Sequence, residues 1–388
     1  MSRAKENIKY YIQRIIHYRE QRQNIIEGKI NSIPIPFPNF AKVLPGIERA
    51  KYYLVTANQK GGKTKFTNFL FVLNVLLYAF KNQDIVKVRI FYYSLEMSRE
   101  ALYDQFTIWW IYIISRGRIT LNEYKLNSIN KDNILDEEIF TYLTSKEYTE
   151  FFDFIEDNME VEVSIRNPYG IYKRCVEYAE ANGTTTYKQI KSKDKNGNIV
   201  TRPLKESYEP DDGEYRILVL DHFSLMSEES GMDLRQTMRK FSSKDLVYLR
   251  NFYKFTEVIV QQQGLAQEGT ENFKLDLLKP SASGLENYKD SSKDCNVMLG
   301  LFDPHRHRIR RYNGYNIELF KNNIRFLEVL YNRNGNANIT TALYFDGAIN
   351  IFRELPPPNT PEIRRAEEWL VRKRQNSNIT DTIDGEFE

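Results

Sequence analysis

Cysteine is nearly absent: Cys175 and Cys295 are the only two in 388 residues, far apart and without CxxC spacing. That argues against a disulfide framework or a cysteine zinc site, and a reducing compartment fits. Long hydrophobic runs are missing as well. The longest mostly apolar stretch, 69–80, falls well short of the roughly 20 residues that span a bilayer, and the N-terminus has charge but no signal-type apolar core. A cytoplasmic protein with no membrane partner is expected, in a host cytoplasm if the chain is viral. Net charge is almost absent too, at +3 from 55 basic and 52 acidic residues, so nucleic-acid binding cannot be argued from total charge and has to come from local patches. What is present is ordinary globular composition. With 41% hydrophobic and 28% charged residues the chain can bury a real core, as one large α/β domain with extensions or as two domains. Its 26 Tyr and 23 Phe are read first as packing, not as base-stacking residues.

The most informative stretch is Ala57-Asn58-Gln59-Lys60-Gly61-Gly62-Lys63-Thr64. It lies between an apolar run (Tyr52, Tyr53, Leu54, Val55) and a long helical pattern from Lys65, and it fits G/A-x-x-x-x-G-K-[ST] with Ala57 in the first position. Gly61 and Gly62 let the backbone turn sharply and aim its N–H groups at a polyphosphate held at the start of the helix. Lys63 then reaches the terminal phosphates, and Thr64 ligates the magnesium that bridges them. The sequence therefore predicts a nucleotide site.

Along the chain, residues 1–28 read as one amphipathic helix with Ile8, Tyr11, Ile12, Ile15, Ile16, Ile25 and Ile26 as its stripe, packing on its own domain or on a neighbouring subunit. Prolines at 34, 36 and 38 end it. After the glycine-rich loop, Phe66, Phe69, Leu70, Leu73, Leu76, Leu77 and Phe80 recur at helical spacing. A strand over 86–93 then ends in Ser94-Leu95-Glu96-Met97-Ser98. From position alone two readings of Glu96 stand: a general base that orients water against the γ-phosphate, or a solvated side chain beside a Ser N-cap. Trp109 and Trp110 are expected in the core of the next helix. The polar stretch 183–213 carries Asn196-Gly197, a β-hairpin signal, and reads as a surface insertion whose cations contact either nucleic acid or solvent. Arg216 to Asp221 is a buried parallel strand ending in an acid that can hold magnesium. The strand over 257–260 closes in Gln261-Gln262-Gln263, where an amide can contact the γ-phosphate. A loop follows with Lys274 and Lys279; then come a strand over 297–302, the basic cluster 305–311, a strand over 326–330 and a hairpin over 339–352. Three prolines at 356–358 mark the end of the compact unit, leaving a short charged helix and an acidic end as a tail.

Taken together these segments resemble the C-terminal motor domain of DnaB-type replicative helicases, hexameric RecA-like ATPases, over about residues 33–352. The matches are Ile33-Pro-Ile-Pro-Phe-Pro-Asn-Phe40 with Leu44-Pro-Gly-Ile47, the phosphate loop, Tyr93-Ser-Leu-Glu-Met-Ser98, Asp221-His-Phe-Ser-Leu-Met226, Val258-Ile-Val-Gln-Gln-Gln263, Leu278-Lys-Pro-Ser-Ala-Ser-Gly284 and Tyr331-Asn-Arg-Asn-Gly335. The resemblance implies an α/β, RecA-like P-loop core with a mostly parallel sheet flanked by helices. It divides the chain into a linker helix (1–32), a motor domain (33–355, with the 183–213 insertion) and a charged tail (356–388). It implies Glu96 as catalytic base, Lys63 and Thr64 on ATP and Mg2+, Asp221 on the metal, and Gln263 as the γ-phosphate sensor with Gln262 a near alternative. Arg333 falls on the family's arginine finger, which reaches the neighbouring subunit's site, while Tyr331 stands where the family has a Lys. Lys274 and Lys279 are candidates to grip single-stranded DNA. The activity implied is ATP-driven translocation and strand separation by a ring, six subunits in the family; a RecA-like DNA-binding ATPase of recombinase or assembly type, without unwinding, is the alternative. Residues 1–28 stand in place of the family's N-terminal helical domain, which leaves primase recruitment open; a primase or a loader is the further partner implied.

Overall fold

The computed structural model describes residues 32–116, 119–125, 135–193, 198–269, 271–272 and 277–375, together with positions 8, 11–13, 15, 16 and 19. Its strands are, in chain order, β1 (Ser32–Pro34), β2 (Gly46–Glu48), β3 (Tyr52–Ala57), β4 (Val88–Ser94), β5 (Met159–Glu162), β6 (Gly183–Lys193), β7 (Ile199–Pro210), β8 (Tyr215–Asp221), β9 (Thr256–Gln262), β10 (Val297–Phe302), β11 (Arg311–Tyr312), β12 (Tyr315–Asn316), β13 (Ile324–Asn332), β14 (Ile339–Asp346) and β15 (Ile351–Glu354). Nine of them form one sheet in the order β15-β14-β13-β10-β3-β9-β8-β4-β5. The six from β10 to β5 are parallel and β13, β14 and β15 extend the sheet antiparallel.

This is the α/β architecture expected from the sequence, and the side-chain period of two explains its layers. Along β3, Tyr53, Val55 and Ala57 join one core cluster while Tyr52 and Leu54 join another on the opposite face. The first face is covered by α1 (the continuous turns Lys63–Thr67, Asn68–Leu73 and Asn74–Lys81), α2 (Arg99–Ser115) and α3 (Lys146–Asn158). The second is covered by α4 (Pro168–Ala181) and α5 (Leu234–Lys240, Phe241–Leu246 and Val247–Asn251). Trp109 and Trp110 are buried in the first cluster, as their spacing suggests.

The predicted hairpin is present as β6 and β7, paired antiparallel from Gly183↔Pro210 to Lys193↔Ile199. Its tip, including Asn196-Gly197, lies outside the described residues. Its base is fastened by Tyr208, whose hydroxyl donates to Ala179 O at 2.6 Å, and by buried Arg216, which binds Tyr208, Asn182 and Glu214.

One boundary moves. The helix α6 (Pro361–Gln375), read from sequence as part of a tail, buries Ile363, Ala366, Trp369 and Leu370 against Phe326, Tyr344 and Phe320 in a third core cluster. The charged residues between those four positions hide a strip of apolar contacts, so the compact unit extends past Pro356 through this helix. The acidic end, 381–388, lies outside the described residues. At the described positions between 8 and 19 the backbone is helical, and Ile8, Tyr11, Ile12, Ile15 and Ile16 are 47–61% exposed. Ile25 and Ile26 lie outside the described residues. Among the described residues no helix is long and apolar enough to cross a membrane.

Candidate active site

The phosphate loop leaves the C-terminal end of β3, which has a parallel neighbour on each side, β10 and β9. Ligand sites form at such strand ends because the loops there diverge from one sheet edge. Gly62 adopts φ 98°, a left-handed conformation that disfavours any side chain, and forms the N-cap of α1. Gly61 N–H donates to Asn58 O at 2.9 Å, closing the turn. Asn58 itself is buried, its amide nitrogen 3.1 Å from Leu278 O and 3.1 Å from His307 Nε2, so its side chain fixes the loop to the 305–311 segment. Gln59 and Lys60 are exposed, and together with Gly62, Lys63 and Thr64 they border a cleft of about 1040 Å³.

Three further strand ends supply the rest. Lys63 Nζ donates to Gln262 Oε1 at 3.3 Å, at the end of β9. Asp221 ends β8 and is 2% exposed; burial raises its carboxyl to about 6 against the opposing pull of the Thr64 hydroxyl and the Lys63 charge. Its Oδ1 has no hydrogen-bond partner. An orphaned carboxylate oxygen beside a threonine hydroxyl is the hard oxygen donor set that suits magnesium, which takes its remaining ligands from phosphates and water. Beyond β4, Leu95 N–H donates to Asp221 O at 2.7 Å and Leu95 O accepts from Arg166 Nη2 at 2.7 Å. These bonds present Glu96, exposed, to the cleft. Ser98 caps α2 by accepting from Ala101 N at 3.2 Å, so the capping role belongs to Ser98 and leaves Glu96 free to face the cleft.

Gln263 is not in the cleft. It is 1% exposed; its Nε2 donates to Thr56 Oγ1 at 2.9 Å and to Ser281 O at 3.0 Å, and its Oε1 accepts from Ser281 N at 3.1 Å. Strand alternation gives the reason: with Gln262 turned toward Lys63, Gln261 and Gln263 must point to the other face. Gln261 is likewise buried, bonding Glu286 O and Ser291. A run of three glutamines conceals which one is in phase with the phosphate loop.

Arg325 carries no signal in the sequence motifs yet is central to the site. It is 2% exposed, pairs with Asp303 at 3.0 Å and donates from Nε to Gly61 O at 3.0 Å. Burial lowers its affinity for its proton and Asp303 opposes that shift. A buried ion pair of this kind is retained only when its other donors are satisfied, and Asn322 O, Ile324 O and Asn322 Oδ1 accept them. The one available signal was a cation inside the apolar run Ile324 to Leu327. The basic cluster is not a solvated turn throughout: His305 and Arg306 border the cleft, Arg306 pairs with Glu268 at 2.8 Å, and His307 stacks on Phe302.

Arg333 lies elsewhere. It follows Asn332, which pairs with Val297, itself level with Tyr53. The phosphate loop begins four residues further along at Ala57, about 13 Å at the rise of a strand. Arg333 is exposed and donates to Lys293 O at 2.6 Å, while Tyr331 packs on the second core cluster. Lys279 is ion-paired with Glu328 at 3.4 Å and is not a free cation; Lys274 lies outside the described residues.

No protein-family model and no curated protein matches the sequence. Among solved structures, an ATPase domain of a DnaB-like helicase superposes with a TM-score of 0.59 at 15% identity, over 89% of this chain and 99% of that one. A DnaB-like replicative helicase, described with its interactions with primase, matches with a TM-score of 0.59 at 15% identity, over 87% of this chain and 65% of that one. The chain therefore has the fold of a DnaB-type, RecA-like ATPase domain.

Proposed function

We propose that the protein is the ATP-hydrolysing motor of a ring-forming DNA helicase that translocates on single-stranded DNA. The observation that carries this reading is the separation of the catalytic parts: Lys63, Thr64, Glu96, Asp221 and Gln262 converge at one end of the sheet, while Arg333 is exposed at the other. A site split in this way is completed by a neighbouring copy, and head-to-tail repetition of such a contact closes into a ring. The exposed apolar stripe at positions 8–16 supports the same assembly, as a helix seeking a neighbour's surface.

In this reading the loop N–H groups and Lys63 hold the β- and γ-phosphates, and Thr64 and Asp221 hold the metal. Magnesium, when bound, bridges the phosphate oxygens and neutralises charge developing on them. Glu96 accepts the proton of the attacking water, and Gln262 senses the γ-phosphate by exchanging its bond to Lys63 for one to nucleotide. Arg333 from the neighbour stabilises the transferred phosphoryl group, which makes an isolated subunit a poor enzyme. Arg306, on the cleft wall and paired with Glu268, links nucleotide state to the segment after β9. That segment carries the proposed DNA grip, Lys274 and Lys279. Lys279 would exchange Glu328 for a phosphate at small cost, since the lysine of that pair is 43% exposed. A primase or loader remains a proposed partner.

Strand separation on a forked duplex tests the reading. ATP-dependent unwinding supports it. Hydrolysis stimulated by single-stranded DNA without unwinding overturns it in favour of an assembly-type ATPase.

A further inference from the structure

Beside the phosphate cleft lies a second cavity of about 220 Å³, which shares Lys65, Gly347 and Ala348 with it. Lys65 Nζ donates to Gly347 O, closing the wall between the two. The remaining lining comes from groups with no part in the hydrolytic reading: Gln105 and Ile108 on α2, Thr120 and Leu121 at the start of the next helical turn, and Asn350.

Asn350 is 2% exposed, and neither its amide oxygen nor its amide nitrogen has a hydrogen-bond partner. It sits in the turn between β14 and β15, whose strands pair up to Asp346↔Ile351. The turn is held in place by Ala348 N–H, which donates to Asp346 Oδ1 at 3.0 Å, and Asn350 takes φ 55°, a left-handed conformation that asparagine tolerates. Gln105 Oε1 is also buried and unpartnered, while its Nε2 is engaged by Met97 Sδ at 3.7 Å. Buried amide groups are nearly always satisfied in folded proteins, so a cluster of orphans facing one cavity points to an absent polar partner.

We propose that this cavity recognises the base of the bound nucleotide, and that Asn350 and Gln105 select adenine over guanine. The proposal rests on the nucleotide reading of the adjoining cleft. The orphaned groups are one amide donor and two amide acceptors. Adenine matches them: its exocyclic amine offers two N–H donors, and the adjacent ring nitrogen accepts. Guanine brings a carbonyl oxygen to the position of the amine, where it would face the acceptor of Gln105 with no proton between them. Ile108 and Leu121 supply apolar surface for the ring, and the turn's fixed geometry presents the Asn350 amide without further ordering.

The test is equilibrium binding of ATP, GTP and inorganic tripolyphosphate to the full chain with Mg2+ present. The expected result is that the wild-type protein binds ATP about tenfold more tightly than GTP. Asn350→Ala is expected to weaken ATP binding about tenfold and bring ATP and GTP to within about threefold of each other, with tripolyphosphate binding unchanged. Gln105→Met, on a separate element, moves the ratio in the same direction and keeps the test open should the turn variant fail to fold. Equal affinities for ATP and GTP in the wild type, or an unchanged ratio in both variants, overturn the base pocket. If the wild type binds tripolyphosphate without distinguishing bases, only this proposal falls; if it binds neither tripolyphosphate nor nucleotide, the nucleotide reading falls with it.

Discussion

The Lys63 ammonium donates to the Gln262 side-chain oxygen at 3.3 Å, across the ends of two neighbouring parallel strands. The contact joins the phosphate loop to the strand that leads into the proposed DNA-binding segment. Gln263, one residue on, is locked into the opposite layer by Thr56 and Ser281. Gln262→Ala should therefore lower DNA-stimulated ATP hydrolysis by about 10²-fold while leaving the melting temperature nearly unchanged. Gln263→Ala should cost about 1–3 kcal/mol of stability by orphaning buried partners. Paired activity and denaturation measurements separate the two, and the reverse pattern would return the sensor role to Gln263.

Glu96 faces the cleft on a turn fixed by Leu95 to Asp221. Glu96→Gln is expected to reduce hydrolysis by at least about 10²-fold and to leave ATP binding intact. Phosphate release and nucleotide titration on one preparation check this; near-normal turnover refutes the assignment.

Arg333 is too far along the sheet to serve its own cleft. An Arg333→Ala protein should lose about 10³-fold or more of its activity. Mixing it with Lys63→Ala protein should restore part of that loss, because some interfaces then combine an intact loop with an intact finger. No recovery at any mixing ratio rules out action between subunits.

His307 stacks on Phe302 and contacts Asn58 of the phosphate loop, and burial holds its imidazole below the ordinary histidine value. Its pocket is also faced by Asp303, Arg306 and Glu268. A base with a depressed folded-state pKa stays neutral while the unfolded chain takes up a proton, so the stability it contributes is present above about pH 6.5 and is lost as pH falls. Between about pH 7.5 and 5.5 the wild-type melting temperature should drop further than that of His307→Asn. Equal drops would show that His307 is not the group responsible.

Trp369, 3% exposed, anchors α6 in the third core cluster. Trp369→Ala should cost about 3–5 kcal/mol in denaturant unfolding. A change within error would mean that α6 is a loose tail after all.

What the sequence by itself determined was local chemistry. The glycine-rich loop between an apolar strand and a helical pattern, the Ser-Leu-Glu-Met-Ser segment, the strand ending in Asp221 and the Asn196-Gly197 hairpin signal are each written in contiguous residues, where spacing and backbone preference are the cause of the structure. Only the tertiary structure decided phase and proximity. Which of three glutamines meets Lys63 depends on the register of β9 against β3. That Arg325 braces Gly61 depends on β13 lying beside β10, 264 residues away in sequence. Whether the charged helix after the prolines is tail or core depends on a surface offered by Tyr315, Phe320 and Phe326. Such relations are set by how separate elements pack, and sequence periodicity fixes a residue's face on its own element but not the neighbour it will meet there.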